Sequence, residues 1–277
     1  MVFRCDGMRS YAVVGVVEAI LLIGLFAIVL STVQLVYVPQ LMESREASHM
    51  DQVANQFAQL KFAVDLQATG DTNVSISVPI VLGSRELPYL ITARALGTLS
   101  VVENACTLTV NASSQEYVYR LGDIVYFADN AYYVKQSYVL ECGAVLLRQG
   151  DSETMLAAPS FSSQLIGSTL DLSFHLMNIT GYAGRTAASG CTTTYVRTNY
   201  SSSSSFSFTD VSRITIATLY PDVWFNYFNA SLDSEAVDVT KFDQFVEISP
   251  CSGYTIDLSL NVVRICVQIG LGWIGAT

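Results

Sequence analysis

The sequence is poor in charge, and in lysine above all. Charged residues make up 14% of its 277 residues, whereas ordinary soluble domains contain about 25%. Only three lysines occur, the net charge is −10, and no basic patch is interleaved with aromatic residues. Nucleic-acid binding needs such a patch to neutralise phosphates. The composition therefore excludes nucleic acid as an expected partner.

Catalytic and metal-binding motifs are also lacking. The sequence has no G-x-S-x-G, no P-loop, no H-E-x-x-H and no D-x-[DN]-x-[DN]-G calcium loop. Its two histidines are His49 and His175, which we interpret as a surface helix residue and an ordinary strand residue. We expect a protein without a cofactor, without a metal and without enzymatic activity.

A long apolar run is present near the start of the chain, at residues 12–38. About 20 apolar residues suffice to span the hydrocarbon core of a membrane as a helix. The apolar part of a signal peptide has only about 7–15 residues and precedes a small-residue cleavage site. No A-x-A follows this run, and Tyr37 places an aromatic ring near its end. The run predicts a retained transmembrane helix with the lipid bilayer as partner.

The charges around the run predict its orientation. Arg4 and Arg9 outweigh Asp6 before the run, and positive residues favour the cytoplasmic side. We therefore expect residues 1–11 to be a cytoplasmic tail or leader and the rest of the chain beyond the helix to be extracellular. Glu18 is costly in lipid. It either reaches the cytoplasmic edge or pairs within an assembly, which makes it a candidate for setting the register between helices.

The helical pattern continues beyond the membrane run. Apolar residues recur at spacings of three and four, as on one face of an amphipathic helix. The pattern predicts a transmembrane and then amphipathic helix over residues 12–67, with a kink or separation at Pro39 and a stop in the turn formers of 68–73. The predicted apolar stripe consists of Met50, Val53, Phe57, Leu60 and Val64.

From residue 73 the pattern changes to alternation with period two, typical of strands. Many short strands separated by turn residues predict an extracellular, mostly antiparallel β-sandwich over residues 73–277. The whole chain is therefore expected to be α+β. Within this region, residues 222–240 allow a short helix. The serine-rich stretch 201–208 is interpreted as a loop that enters a strand.

Five cysteines follow the membrane run, and Cys5 precedes it. Disulfides persist outside the cell, but an odd number leaves one thiol unpaired within the chain. Cys251 and Cys266 flank a predicted hairpin and are the first choice for a bridge. Buried free thiols are the alternative. The other disulfide candidates are Cys106, Cys142 and Cys191.

Five N-x-[ST] sequons all follow the membrane run, and none precedes it. Such sequons mark surface positions that can carry N-linked glycans. Their one-sided distribution supports an extracellular location for the β region. The predicted glycosylation sites are Asn73, Asn111, Asn178, Asn199 and Asn229.

Two blocks of the sequence resemble archaeal type IV pilin-like surface proteins. They are AVVGVVEAILLIGL and VPQLMESREASHMDQVANQFAQLKFAVD. Later blocks that are similar to a membrane-anchored branch of these proteins include VPIVLGSRELPYLITARALGTLSV and YVLECGAVLLRQGDSETMLAAPSF. The resemblance implies a single N-terminal helix that anchors the subunit and packs with the helices of other subunits, with an outward-facing β domain.

The N-terminal block also departs from the family pattern. Gly15 stands where the family has its glutamate, and Glu18 stands where a glycine is usual. Tyr11 replaces the basic residue that normally precedes the peptidase cut. We therefore expect a structural or accessory pilin-like surface protein that keeps its anchor.

Two alternatives stay open. One is a processed type IV pilus subunit that polymerises for adhesion. The other is an anchored β-sandwich that binds surface glycans or another ligand. The ligand-binding alternative needs an aromatic platform, for which Trp224, Phe225, Tyr227 and Phe228 are the candidates, although the same residues also suit a core.

Overall fold

The computed structural model describes residues 6–70, 74–83 and 96–270, with side chains described from Val14 onward. The chain begins as a helix in three consecutive parts. These are α1 (Asp6–Thr32), a π-helical turn (Val33–Tyr37) and α2 (Val38–Gly70). The helix ends three residues beyond the predicted limit of 67 and begins six residues before the predicted start at 12.

The π-helical turn directly precedes Pro39. Proline has no N–H for the carbonyl four residues earlier, and its ring crowds that carbonyl. A wider turn relieves this conflict, and the Val38 N–H bonds the Val33 carbonyl five residues back. The predicted kink or separation thus takes the form of a π-helical turn inside a continuous helix.

The rest of the described chain is rich in strands, with one short helix. Helix α3 spans Pro221–Ser231, within the stretch predicted to hold a helix. The strands in chain order are β1 (Ile76–Val81), β2 (Leu96–Ala112), β3 (Gln115–Asp129), β4 (Gln136–Glu141), β5 (Ala144–Gln149), β6 (Ser152–Ala157), β7 (Ser160–Ile166), β8 (Thr169–Gly181), β9 (Ala187–Gly190), β10 (Thr193–Phe208), β11 (Val211–Ala217), β12 (Val237–Lys241), β13 (Phe245–Pro250) and β14 (Thr255–Ile269).

Across the described residues these strands form two sheets. Sheet A has the order β1-β10-β14-β8-β7. Sheet B has the order β12-β13-β11-β2-β3-β4-β5-β6, with β9 also paired to β2. The pairs are antiparallel except for β14 and β8, which run parallel from Thr255↔Thr169 to Val267↔Gly181. The prediction of one long N-terminal helix followed by a mostly antiparallel, β-rich domain is confirmed.

Two details of the strand prediction were wrong. Several strands are long rather than short, and the serine-rich stretch is not a loop. It continues β10, because its backbone pairs residue by residue with β14, from Ser202↔Arg264 to Phe208↔Leu258. Strand pairing uses backbone groups, so a neighbouring strand can hold a serine run extended although the run has no apolar alternation of its own.

Both sheets supply buried side chains to two hydrophobic clusters. The first lies between the sheets and under α3, and it includes Leu108, Phe174, Trp224 and Leu258. The second joins α2 to both sheets. All five residues of the predicted stripe belong to this second cluster and are at most 2% exposed. The predicted amphipathic face is therefore confirmed as the surface by which the helix packs on the β domain.

Candidate functional site

The first half of the long helix is uncovered. Every side chain from Val14 to Tyr37 is exposed except Val33, which is half-buried. Leu21, Ile28 and Leu35 are 69%, 66% and 77% exposed. Among the described residues this is the one helix long and apolar enough to cross a membrane. The finding is consistent with a single-pass anchor.

Glu18 lies within this exposed segment. On its own face of α1, the positions three and four residues away hold Val14, Gly15, Leu21 and Leu22. It is the only carboxylate between Val14 and Tyr37. Glu18 is therefore the one charged side chain on a largely apolar surface between Val14 and Tyr37, and its role in register stays a prediction.

The second half of the helix is covered on one side from its first residue. Val38 and Met42 are 6% and 1% exposed, and buried positions then recur along α2 as far as Gln67. Four of these buried positions carry polar side chains: Glu46, His49, Gln56 and Gln67. Buried polar groups need partners, so these four side chains determine where the helix can dock.

Glu46 holds the loop between β3 and β4. One carboxylate oxygen, Oε2, accepts hydrogen bonds from the backbone N–H groups of Tyr132 and Tyr133 at 2.8 and 2.7 Å. Oε1 accepts a third from Ala131 at 3.2 Å. The carboxylate is fully buried. Three converging N–H donors compensate the loss of water around its charge.

Three further polar side chains of α2 make four contacts with and beside the edge of sheet A. The Val81 N–H donates to Gln56 Oε1 at 3.0 Å, and the Val81 carbonyl lies 3.0 Å from His49 Nε2. Gln67 Nε2 donates to the carbonyls of Val74 and Thr198 at 2.6 and 3.0 Å. The helix thus bonds to β1 and β10 through side chains on its buried face.

Burial is the main influence on His49. It lowers the pKa of the imidazole below its ordinary value of 6.5, because a charged ring is poorly solvated there. The hydrogen bond to Val81 and the charge of Glu46 act in the opposite direction but are weaker. Nδ1 is buried and has no hydrogen-bond partner. The neutral ring, donating from Nε2, is therefore the form that fits the docked helix.

A second buried polar cluster lies at the end of β4, far from the helix in sequence. Glu141 Oε1 accepts hydrogen bonds from Thr218 Oγ1 at 2.7 Å and from Trp224 Nε1 at 2.5 Å. Asp123 is also buried and bonds to the Glu141 side chain. Burial, and then the charge of Glu141, raise the pKa of Asp123 well above its ordinary range. The raised pKa favours the protonated form of Asp123, which can donate to the Glu141 side chain.

All five cysteines after the membrane run are free thiols in this structure. The predicted hairpin between Cys251 and Cys266 is wrong, because β13 belongs to sheet B and β14 to sheet A. Cys251 follows the end of β13, whereas Cys266 lies near the far end of β14. Cys191 is half-buried. Cys106 and Cys142 are brought together, with their Sγ atoms 3.3 Å apart.

The sequons differ in accessibility. Asn229 is exposed on α3, whereas Asn111 is half-buried in β2. Asn178 Oδ1 accepts a hydrogen bond from the Gly122 N–H at 3.2 Å, and Asn199 Oδ1 is buried. Asn73 lies outside the described residues. Asn229 is therefore the most accessible of the four described sites.

The proposed aromatic platform does not exist as a surface. Trp224 and Phe228 are 0% and 1% exposed, and Phe225 and Tyr227 pack against the same cluster. The core interpretation is therefore confirmed.

His175 is exposed on β8, and its Nδ1 lies 3.5 Å from Asn261 Nδ2. In the described part of the chain, no group of three or more His, Cys, Asp or Glu residues could hold a metal.

Sequence reasoning missed the polar residues by which α2 docks. A signal for them was present, because they occupy the same three-and-four spacing as the apolar stripe. His49 in particular was wrongly interpreted as a surface residue. One row of buried positions at this spacing runs through residues 42, 46, 49, 53, 56, 60, 63 and 67, and residues 38, 50, 57 and 64 are buried as well. The Glu141 cluster left no such signal, because its members come from distant segments.

Comparison with known proteins gives a family for most of the β domain. The model of DUF7289, described as a family of unknown function, matches residues 93–267. That match covers more than half of the chain. No curated protein matches the sequence, and no solved structure matches it. The chain belongs to the DUF7289 family.

Proposed function

We propose that this chain is a non-enzymatic, pilin-like surface protein that stays anchored in the cell membrane by its N-terminal helix. It acts as a structural or accessory subunit of a surface filament or envelope, with a cytoplasmic tail and an extracellular β domain. The observation that carries the proposal is the continuous helix. Its first half is apolar and uncovered, and its second half is docked on the β domain.

The exposed apolar surface of residues 14–37 has to be shielded from water. Burial of apolar surface is worth about 25 cal/mol per Å², and monomeric soluble proteins rarely expose large contiguous apolar patches. Residues 14–37 expose such a surface all around the helix. A bilayer can cover every side of it at once. A partner helix could cover only one side, so several would be needed.

The outward face of α2 favours a lone anchor over a helix bundle. Between residues 43 and 55 the exposed side chains of α2 are polar, among them Arg45, Ser48, Asp51, Gln52 and Asn55. On either side of this stretch the apolar residues Leu41, Phe62 and Leu66 are also exposed. In the filaments of the pilin-like family, neighbouring helices pack together in a core. The polar stretch at 43–55 suits water better than such a core. This supports the retained anchor over the processed pilus subunit.

Cell fractionation with mapping of the N-terminus tests the proposal. The native protein is expected in the membrane fraction, resistant to alkaline extraction and released by detergent, with residues 1–11 still attached. A mature N-terminus near Val13, together with recovery in sheared filaments, would instead establish the processed pilus subunit. Recovery in the soluble fraction would overturn both.

The Glu18→Gln variant gives a second test that distinguishes a lone membrane anchor from a filament subunit. A lone anchor with glutamine at this position remains in the membrane in unchanged amount. A filament that relies on this carboxylate for register loses assembly. The matched control is Glu43→Gln, which changes an exposed carboxylate on the same helix outside the apolar segment.

Orientation is tested by labelling intact cells. Ser202 is exposed on β10, so a Ser202→Cys variant presents a reactive thiol on the β domain. A membrane-impermeant maleimide is expected to label this variant without lysis. Labelling that appears only after lysis would place the β domain inside the cell.

A further inference from the structure

We propose that Cys106 and Cys142 form an intramolecular disulfide in the mature protein. Their Sγ atoms lie 3.3 Å apart, and the residues are 1% and 2% exposed. A disulfide places its sulfur atoms about 2.05 Å apart, so a small side-chain movement brings these atoms to bonding distance. The inference rests on the proposed function in one respect, because a disulfide persists on the extracellular side.

The two thiols belong to different parts of sheet B. Cys106 lies in β2, opposite Leu121 of β3. Cys142 lies in the two-residue turn between β4 and β5, where Glu141 pairs with Ala144. Both side chains belong to the cluster between the sheets. A bond between them would tie the β4–β5 hairpin directly to β2, across the intervening strand β3.

The backbone at Cys142 is a second, independent observation. Its φ is +52°, followed by +86° at Gly143. Positive φ at both central residues is the pattern of a type I′ hairpin turn, which favours Asn, Asp or Gly at the first position. A cysteine is unfavourable there in conformational terms. At this strained position the Cys142 thiol lies against the Cys106 thiol. Asn, Asp or Gly would suit the turn better but could not form a disulfide.

The remaining cysteines are not placed in this way. Cys191, Cys251 and Cys266 are half-buried. Cys266 Sγ lies 3.7 Å from Thr180 Oγ1 rather than against a thiol. With five cysteines after the membrane run, one internal bridge leaves three thiols. The odd number of cysteines is therefore compatible with one internal disulfide.

The chemistry needs an oxidant. Two thiols lose two protons and two electrons as the S–S bond forms. The electrons are accepted by the disulfide of a thiol–disulfide oxidoreductase, which leaves as a dithiol after a mixed-disulfide intermediate. One cysteine thiolate attacks that disulfide, and the other then displaces the enzyme. Because both thiols are almost fully buried in the fold, the exchange has to occur before the sheets close on each other.

Burial also explains why the thiols would be inert once the fold has closed without a bond. The hydrogen bond with Cys142, and then burial, raise the pKa of the Cys106 thiol well above its usual range. The hydrogen bond with Cys106 lowers the pKa of Cys142, but burial and the nearby carboxyl groups outweigh it and raise that pKa to about 11. The thiolate is the reactive form. The bond is therefore expected to form during folding outside the cytoplasm and then to resist reduction in the folded protein.

Peptide mapping of the native full-length protein tests the bond. Each of the five cysteines falls on a different tryptic peptide, and the relevant two are 95–120 and 136–148. The protein is denatured in N-ethylmaleimide without reductant, treated with a glycosidase because of Asn111, and digested. We expect peptides 95–120 and 136–148 linked to each other, with a mass two hydrogens below their sum, and the peptides with Cys191, Cys251 and Cys266 alkylated.

Stability supplies an independent measurement. Reduction in mild denaturant followed by refolding with blocked thiols, or the Cys142→Ser change, should lower the melting temperature by roughly 5–15 °C. Cys191→Ser is the matched control and should change it little. Because the mapping uses the unmodified chain, it remains decisive if Cys142→Ser does not fold.

Two outcomes overturn the inference. One is alkylation of both Cys106 and Cys142 in the unreduced protein, and the other is a bridge from either residue to a different cysteine. Labelling of the Ser202→Cys variant on intact cells distinguishes a failure of the disulfide proposal from a failure of the proposed function. An extracellular label with unbridged thiols rejects the disulfide alone. A label only after lysis rejects the extracellular location, and unbridged thiols there reject the disulfide as well.

Discussion

Residues 14–37 and residues 38–70 belong to one continuous helix, yet their surroundings are opposite. The first segment is apolar except at Glu18, Ser31, Thr32 and Gln34, and its side chains are exposed apart from the half-buried Val33. The second buries one face, which combines apolar residues with four polar side chains that have specific partners, and its exposed side chains are mostly polar. Because both segments have helical backbone geometry, their side-chain pattern decides whether a segment suits a lipid environment or docks on protein.

The comparison also shows what makes docking specific. An apolar stripe is complementary to any apolar surface, and it could slide along the sheets. Glu46, Gln56 and Gln67 each need particular backbone groups at fixed positions. Moving the helix by one turn would leave these buried groups unsatisfied at about 1–3 kcal/mol each. The exposed half carries few polar side chains, namely Glu18, Ser31, Thr32 and Gln34, and none of them is buried against the β domain.

Truncation of the long helix should have the largest effect on solubility and folding. A chain that begins at Val38 is expected to be soluble and folded, because the second hydrophobic cluster stays complete. A chain that begins at residue 71 loses Met50, Phe57 and Leu60 from that cluster and should aggregate. Circular dichroism and size-exclusion chromatography measure the outcome. A folded, monodisperse chain from residue 71 would show that α2 is not part of the domain core.

Substitution of a phenylalanine in each half gives the next largest contrast. Phe57 is fully buried and packs edge-on against Tyr126, with ring centroids 6.3 Å apart. Phe57→Ala should lower the free energy of unfolding of the β domain by about 3–5 kcal/mol. Phe26 is 61% exposed, so Phe26→Ala serves as the control with little effect. Denaturant titration in detergent compares them, and equal losses would contradict the division of the helix.

Among the polar contacts, Glu46 should matter most. Glu46→Gln replaces one acceptor oxygen by an N–H₂ group that faces backbone donors. We expect a loss of about 1–3 kcal/mol in unfolding free energy and faster amide exchange at residues 131–133. Glu43→Gln, at an exposed position on the same helix, should change neither measurement. Unchanged exchange in Glu46→Gln would mean that the loop is held by other contacts.

The smallest expected effect is a pH dependence of docking. The folded protein holds the pKa of His49 below its ordinary value of 6.5. Its contribution to stability is therefore complete above about pH 6.5 and is lost as the pH falls through the lowered pKa. Melting curves from pH 8 to pH 5 should fall less steeply for His49→Gln than for the unchanged chain. His175→Gln, at an exposed histidine, is the control, and equal slopes for all three chains would contradict the assignment.

Local patterns in the sequence were enough to find the helix and its buried stripe. The periods of 3.6 and 2 are properties of neighbouring residues, so the stripe through Phe57 and the first strand through Val78 could be recognised directly. Pro39 was recognised as a disturbance. The form of that disturbance depends on how the backbone relaxes, which the sequence pattern does not determine.

Features that depend on distant segments could not be found in this way. The serine run in β10 is held extended by β14, and the parallel pairing of β8 with β14 joins segments more than 80 residues apart. The close approach of Cys106 and Cys142 likewise depends on how β2 lies beside the β4–β5 turn. Cysteine spacing along the chain favoured Cys251 and Cys266 instead, because spacing cannot show that their strands belong to different sheets.

Burial that begins at Val38 has a consequence for the height of the domain above the membrane. For a chain anchored through residues 14–37, protein covers the helix from the first residue after Tyr37, so no bare stalk separates the domain from the lipid headgroups. The 33 residues of α2 extend about 50 Å at about 1.5 Å per residue, and the domain lies along this length rather than at its tip. In a chain anchored in this way, the sides of the domain rather than a distant tip would face neighbours in the same membrane.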